Sequence, residues 1–240
     1  MGLRLHYFIS DLHLDESRPK VTEGFLRYLS DLRPQDQLYI LGDLFEVWVG
    51  DDYETPFIEL MERSLLDCEA ETFIMHGNRD FLIGPAFAER TGTHLLEDPT
   101  LIELGGQPVL LMHGDSLCTR DEPYMAVREQ LRNPAFQAQL LAQPVEARLV
   151  IASGAREEST AHKANTDLFI MDVTPEAVFD TMKAHEVTTL IHGHTHRPFD
   201  HQRQGPDQAY RRLVLGDWHD QGWHISADDK GQLSLSSFML

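Results

Sequence analysis

Residues 191–196 read Ile-His-Gly-His-Thr-His, three imidazoles in five positions around one glycine. Neutral imidazole is the commonest metal ligand among side chains, so this spacing asks for further donors elsewhere. Four other fragments supply them: Asp11-x-His13, Gly42-Asp43, Gly77-Asn78-Arg79-Asp80 and His113-Gly-Asp. In extended chain, Asp11 and His13 share a face because side chains alternate with period two. With His194 and His196 the set holds two carboxylates, one amide oxygen and four imidazoles. One tetrahedral zinc site uses fewer. Two metals sharing a carboxylate use about this many, with Asp43 the best placed to bridge. A donor set of oxygen and nitrogen without thiolate favours Mn, Fe or Zn at a working site. Any one fragment alone would read as a turn or a cap; their joint recurrence carries the inference.

Each fragment follows its own apolar run: Leu5 to Ile9, Gln37 to Leu41, Thr72 to Met75, Pro108 to Met112 and Thr188 to Ile191. A sixth run covers Tyr210 to Leu215. Short apolar runs ending at Gly, Asp and His read as buried strands that deliver side chains to their carboxyl ends. Between the early runs lie helix-like stretches. One is expected from Thr22 to about Leu32. Another opens at Thr55, with Pro56 at the first helical position. Strands alternating with helices predict an α/β fold whose site gathers at the carboxyl ends of the strands.

The alternation stops between about 121 and 168. That segment has no convincing strand and reads as short helices punctuated by Pro123, Pro134, Pro144 and Gly154. Its basic residues nearly balance its acidic ones within a chain of net charge −19, so it is relatively basic. We read it as a helical cap inserted into a single domain of 240 residues.

The charge of −19 disfavours a nucleic-acid partner, which selects a basic face. It leaves phosphate substrates open, because bound cations reverse the local sign. Cys68 and Cys118 are the only cysteines and form no C-x-x-C pair, so free thiols in a reducing compartment are expected. No signal-peptide pattern or apolar span is read at either end or between, which predicts a cytoplasmic protein.

The ordered set Asp11-x-His13, Gly42-Asp43, Gly77-Asn78, His113 and Gly193-His194-x-His196 resembles the calcineurin-type metallophosphoesterase superfamily. The resemblance implies a four-layer αββα sandwich. It implies a first metal on Asp11, His13, Asp43 and His196, and a second on Asp43, Asn78, His113 and His194. Where the superfamily usually has Gly-Asn-His-Asp, this chain has Arg79. In relatives that His is thought to protonate the leaving group. Arginine stays charged and cannot, but it can clamp phosphate oxygens with two parallel hydrogen bonds. A phosphate leaving from an anhydride needs no proton, so Arg79 favours a pyrophosphate substrate. A structural ion pair of Arg79 with Asp80 or Glu46 is the plainer alternative.

A closer resemblance, carried by Gly42 to Asp52, His76 to Leu82, Met112 to Cys118 and Ile170-Met-Asp172, is to hydrolases of a UDP-linked diacylated glucosamine lipid. It implies two Mn2+ ions and a metal-activated water that attacks the UMP-side phosphorus. The products implied are UMP and a lipid phosphate of lipid A biosynthesis. It implies substrate contacts from Asn78, Arg79, Asp121, Ser159 and His194. Ser159, Lys163 and Thr166 fall at helix spacing and would share one face, so Lys163 and Thr166 are further candidates. The cap would receive two acyl chains at the cytoplasmic face of the inner membrane, its basic character suiting an anionic leaflet. The rival readings are a nucleotide or phosphoprotein phosphatase of this fold, and a scaffold without catalysis.

Overall fold

The computed structural model describes residues 4–165, 167, 169–204 and 209–240; the side chains of 160–165 lie outside that description. The apolar runs form the strands on which everything else is laid. β1 (His6–Ile9), β2 (Gln37–Leu41), β3 (Glu71–Met75) and β4 (His94–Leu96) run parallel in one sheet. Two late strands, β10 (Gln221–Ala227) and β11 (Leu233–Met239), complete it in the order β11-β10-β1-β2-β3-β4. The second sheet has the order β5-β6-β7-β9-β8. Its centre is β6 (Gln107–Met112), β7 (Thr189–His192) and β9 (Ala209–Val214), all parallel. Antiparallel strands β5 (Thr100–Leu104) and β8 (Phe199–Gln204) close its edges.

Alternation along the strands explains the layers. Phe8, Tyr39, Leu41 and Met75 meet Val109, Leu111, Ile191 and Leu213 in a core between the sheets. Their neighbours Ile9, Leu38, Ile40 and Ile74 point the other way, onto α1 (Pro19–Asp31), α2 (Pro56–Leu66) and α3 (Pro85–Thr91). On the outer face of the second sheet, Leu110, Met112 and Leu190 pack against Val178 and Met182 of α7 (Pro175–Ala184). Both faces of both sheets are covered, so the central strands read as continuous apolar runs rather than alternating ones. The result is the expected four-layer αββα sandwich.

Some details differ from expectation. α1 starts at Pro19 rather than at Thr22, because proline suits the first helical turn. Thr55 does cap α2, its side chain accepting from Ile58 N at 3.2 Å. Between β6 and α7 lie α4 (Glu122–Leu131), α5 (Pro134–Leu141) and α6 (Val145–Asn165). Gly154 does not interrupt α6, which runs 21 residues; a Cβ there would meet nothing, so the glycine is an exposed mid-helix position and not a break. No described helix is long and apolar enough to cross a membrane. Both cysteines are free, as expected.

Candidate active site

The site is built where strand ends of the two sheets meet. The chain leaving β1 is stitched to the chain leaving β2: Asp11 N donates to Gly42 O at 3.1 Å and His13 N to Asp43 O at 3.0 Å. Likewise Gly193 N donates to His113 O at 2.9 Å, joining the ends of β7 and β6. Asp80, fully buried, gathers the loops around Asp43 and Asn78. It accepts from Leu44 N and Gly77 N at 2.7 Å each, with longer contacts from Asp43 N and Phe45 N. Burial and Asp43 push its carboxyl above the ordinary value. Glycine is required at two close approaches. A Cβ on Gly77 would strike Asp43, and one on Gly193 would strike Ser10 and Asp11. The loop after Asp43 is pinned by Phe45 and Trp48, whose rings lie 4.8 Å apart, with Phe87 against both. Aromatic pairs of this kind add ~0.5–1.5 kcal/mol beyond the area they bury.

Asp11, His13, Asp43, His194 and His196 all have positive φ, between 50° and 67°. Among described non-glycine residues only Glu186 shares that conformation. Left-handed backbone is costly for side chains like these and tends to cluster at functional sites.

The side chains converge. Asp11, His13 and His196 bring ligand atoms within 4.8 Å of one another, as do Asp11, Asp43 and His113. Each group can hold a divalent cation. Nε2 of His13 and of His196 lie 3.4 Å apart, and His196 Nε2 is 3.3 Å from Asp11 Oδ1. That oxygen is buried and has no hydrogen bond, as a metal-facing carboxylate oxygen would be. His13 Nε2 is 3.8 Å from Asp43 Oδ2, and His113 Nε2 is 3.9 Å from Asp43 Oδ1, which places Asp43 between the groups. Asn78 Oδ1 sits 3.1 Å from His113 Nε2 and 3.0 Å from His194 Nδ1. All seven residues expected to ligate metal are therefore brought together.

Three imidazoles have an oxygen behind them. His113 Nδ1 donates to Leu41 O at 2.9 Å. His13 Nδ1 lies 3.0 Å from Glu46 Oε2, and His196 Nδ1 lies 3.7 Å from Asp217 Oδ2. At His113 the acceptor behind Nδ1 fixes the tautomer that turns the Nε2 lone pair inward, the usual support of a metal-binding histidine. The local field is strongly mixed. Burial pushes Asp11 up, but His196, His113 and His13 more than offset it and hold the carboxyl far below the usual range. Burial would lower His113, yet Asp43, Asp115 and Asp11 raise it to about 9. His194 falls to about 4 through burial and the neighbouring His113. His192 is not part of the cluster: burial and Arg212 lower it to about 3, and its Nδ1 donates to Gly193 O at 2.9 Å.

Arg79 lines a cavity of about 330 Å³ beside the cluster, together with Asn78, Ser159 and Glu46. The remaining walls are largely apolar, including Trp48, Phe81, Leu82, Val127, Phe136 and Ile151. The guanidinium is 3.9 Å from Glu46, and Asp80 is engaged by backbone amides, so neither locks Arg79 in a short ion pair. Asp121 is buried and caps α4, accepting from Tyr124 N at 3.1 Å. The side chain of Lys163, and Thr166 altogether, lie outside the described residues.

The helical segment is tied down by its arginines. Arg148, buried, reaches Val49 O and the Asp52 carboxylate. Arg128 pairs with Asp115 at 2.9 Å, Arg132 donates to Gly77 O at 3.1 Å, and Arg156 pairs with Glu46 at 3.0 Å. Four of the basic residues that made this segment look suited to an anionic surface are thus engaged with the core. Asp217 and Tyr124, whose ring lies 5.5 Å from that of His194, escaped the sequence reading, as did the role of Asp115, while Glu46 was read only as an ion-pair partner of Arg79. Asp80 was visible in Gly-Asn-Arg-Asp, but its loop-gathering role was not.

Comparison with known proteins agrees with this geometry. The pattern of the family described as calcineurin-like phosphoesterase matches residues 7–198. A Pseudomonas fluorescens protein named UDP-2,3-diacylglucosamine hydrolase is 49% identical over 96% of this chain and 94% of its own length. Proteins of the same name from Chromohalobacter salexigens and Pseudomonas aeruginosa are each 50% identical. The first match covers 96% of both chains, and the second covers 93% of this chain and 95% of the relative. With its strand-end donors, its sandwich and these relatives in agreement, the chain belongs to the calcineurin-like phosphoesterase family, alongside the UDP-2,3-diacylglucosamine hydrolases.

Proposed function

We propose that the protein hydrolyses the pyrophosphate bond of UDP-2,3-diacylglucosamine, giving UMP and 2,3-diacylglucosamine 1-phosphate for lipid A biosynthesis. One observation carries this reading beyond the family. The donor cluster and the apolar cavity share Asn78, and the next residue, Arg79, both lines the cavity and donates its backbone N to Asp43 Oδ1 at 2.8 Å. A polar reaction centre thereby adjoins walls fit for acyl chains.

Asp11, His13, Asp43 and His196 would hold one cation, and Asp43, Asn78, His113 and His194 the other. Asp11 stands near both groups. The oxygen and nitrogen donors, without thiolate, suit manganese. When bound, the two cations would lower the pKa of a water and neutralise charge developing at the UMP-side phosphorus. The chain's own groups do the rest. Arg79, one-seventh exposed, offers a fork of donors to pyrophosphate oxygens. It supplies no proton, and the departing phosphate monoester needs none. Glu46 orients His13 from behind while its other oxygen faces Arg79 and Arg156. Burial raises the Glu46 carboxyl, but His13, Arg79 and Arg156 bring it down to about 2, so it remains a carboxylate.

In this reading α4–α6 form a cap that closes over the lipid. Ser159 faces the cavity from α6. Lys163 and Thr166 remain candidates for the sugar or the phosphate, and Asp121 for a contact made from the start of α4. Peripheral association with the cytoplasmic face of the inner membrane would rest on apolar rather than basic residues, because the arginines are engaged. Val127, Val150 and Ile151 are exposed on the cap helices.

The test is chromatographic. Purified protein with Mn2+ and UDP-2,3-diacylglucosamine should release UMP and the lipid monophosphate in equal amounts. Release of inorganic phosphate instead would mark a phosphatase and overturn the proposal.

A further inference from the structure

A cavity of about 390 Å³ lies on the far face of the second sheet, between α7 and strands β8 and β9. None of the residues proposed for metal or substrate lines it. The walls are apolar: Phe169, Val178, Phe179, Met182 and Tyr210. Phe179 and Tyr210 meet edge to face at 5.4 Å, and Phe169 stays 63% exposed, so the space is open to a ligand.

The polar groups around this apolar space are mostly cationic. Arg120, His201, Arg203 and Arg212 face a single carboxylate, Asp172. Asp172 is already engaged by Arg197 at 2.6 Å. Arg120 lies 4.4 Å over the Phe169 ring and 3.4 Å from the exposed Glu176. Among the described residues, no carboxylate comes within ion-pair distance of Arg203 or Arg212. Arg212 is half-buried and donates to the Nε2 of the neutral His192 at 3.0 Å. Burial pushes its pKa down, Asp172 partly opposes that, and Arg203 adds to the downward push. In a chain with 39 acidic residues against 20 basic ones, neither guanidinium has a carboxylate within ion-pair distance among the described residues, and Asp172 is the one described carboxylate lining the cavity. A partly desolvated cation such as Arg212 is unfavourable unless paired, and the exposed Arg203 stands beside it.

We propose that this cavity is a second binding site, for a small acidic amphiphile. The ligand would carry a carboxylate or phosphate head on a single acyl chain of medium length. The head would pair with Arg203 and Arg212, and the chain would lie against Phe179, Met182 and Val178. The volume lies within the ~300–1,000 Å³ of small-molecule sites, at the low end. This site is independent of the phosphoester chemistry.

Isothermal titration with decanoate, decyl phosphate, decanol and inorganic phosphate tests it. Decanoate or decyl phosphate should bind one to one, and the tighter of the two tells whether a fatty acid or a lipid phosphate is the source. Decanol and inorganic phosphate should bind at least ~10-fold more weakly, because each lacks half of the recognition. Arg203→Glu, at an exposed edge-strand position, should weaken the anion by about 10-fold or more, and Arg203→Lys should retain most of it. Phe179→Ala should weaken it through the chain contact, while Val127→Glu in the other cavity should leave it unchanged. Wild-type affinity in Arg203→Glu, loss of binding in Val127→Glu, or inorganic phosphate binding as tightly as decyl phosphate would each overturn the proposal. Circular dichroism confirms that each variant is folded. Should Arg203→Glu misfold, Arg203→Gln takes its place, with a several-fold loss expected and an unchanged affinity counting against the site.

Discussion

Removing the Asp80 carboxylate should loosen the active site from beneath without touching a metal or substrate group. Its Oδ2 accepts from Leu44 N at 2.7 Å and its Oδ1 from Gly77 N at 2.7 Å, each with a second, longer amide contact. The site is fully buried, so no water replaces the acceptor. Each short bond lost leaves a buried amide unsatisfied, at ~1–3 kcal/mol. Asp80→Ala loses both and should cost about 4 kcal/mol. Asp80→Asn keeps one oxygen but turns an NH2 toward the other pair of donors, whichever way it flips, and should cost about 2 kcal/mol or more. Urea denaturation reads this directly. With a slope of about 3 kcal/mol/M, the midpoint of Asp80→Ala should fall by about 1.3 M. Turnover at low urea should fall in both variants, because the Asp43 and Asn78 loops lose their common anchor. An Asp80→Ala protein within 1 kcal/mol of wild type, with normal turnover, would refute the reasoning.

Other changes act on separate parts. Arg79→His should sharply reduce hydrolysis of the UDP-lipid while raising hydrolysis of p-nitrophenyl phosphodiesters; improved turnover on both would contradict the clamp. Arg148→Ala removes a buried side chain held by Val49 O and Asp52, and should cost ~2–4 kcal/mol by thermal unfolding and raise KM for the lipid. Asp11→Asn should lower manganese content measured by elemental analysis, with the fold intact by circular dichroism. Asp115 gives a pH signature: burial opposes its charge, but His113, His194, Arg128 and Arg132 hold its carboxyl below the ordinary value. A carboxyl depressed in the folded state contributes stability fully above its unfolded pKa of about 4, and loses it as pH falls toward its folded value. Asp115→Asn should therefore shrink the fall in Tm below about pH 4, and an unchanged acid slope would show that the group is not so held.

The strands that carry donors were legible because burial on both faces leaves an unbroken apolar run, as in Tyr39-Ile-Leu41 or Val109-Leu-Leu-Met112. β8 was not: Phe199-Asp-His-Gln-Arg-Gln204 is an exposed edge whose pairing comes from β9 rather than from its own side chains. β10 and β11 alternate, burying Ile225, Ala227 and Leu233 on one face, and their serines hide that period. At the site, the donors stood out because glycines and imidazoles at strand ends have few structural uses. The groups behind them did not, since Glu46 and Asp217 look like any surface carboxylate until the fold sets them at His13 and His196.

The left-handed backbone at five of the donor residues bears on how this chain would change under selection. Each such position costs ~1–3 kcal/mol that the surrounding fold must supply. Glycine or asparagine would sit there more comfortably, at the expense of the donor. Selection for heat resistance alone would therefore drift toward those replacements, yielding sturdier proteins without a reaction. A lineage relieved of the chemistry would keep the sandwich easily and could turn it to holding partners, whereas a lineage that keeps the reaction must find its extra stability elsewhere.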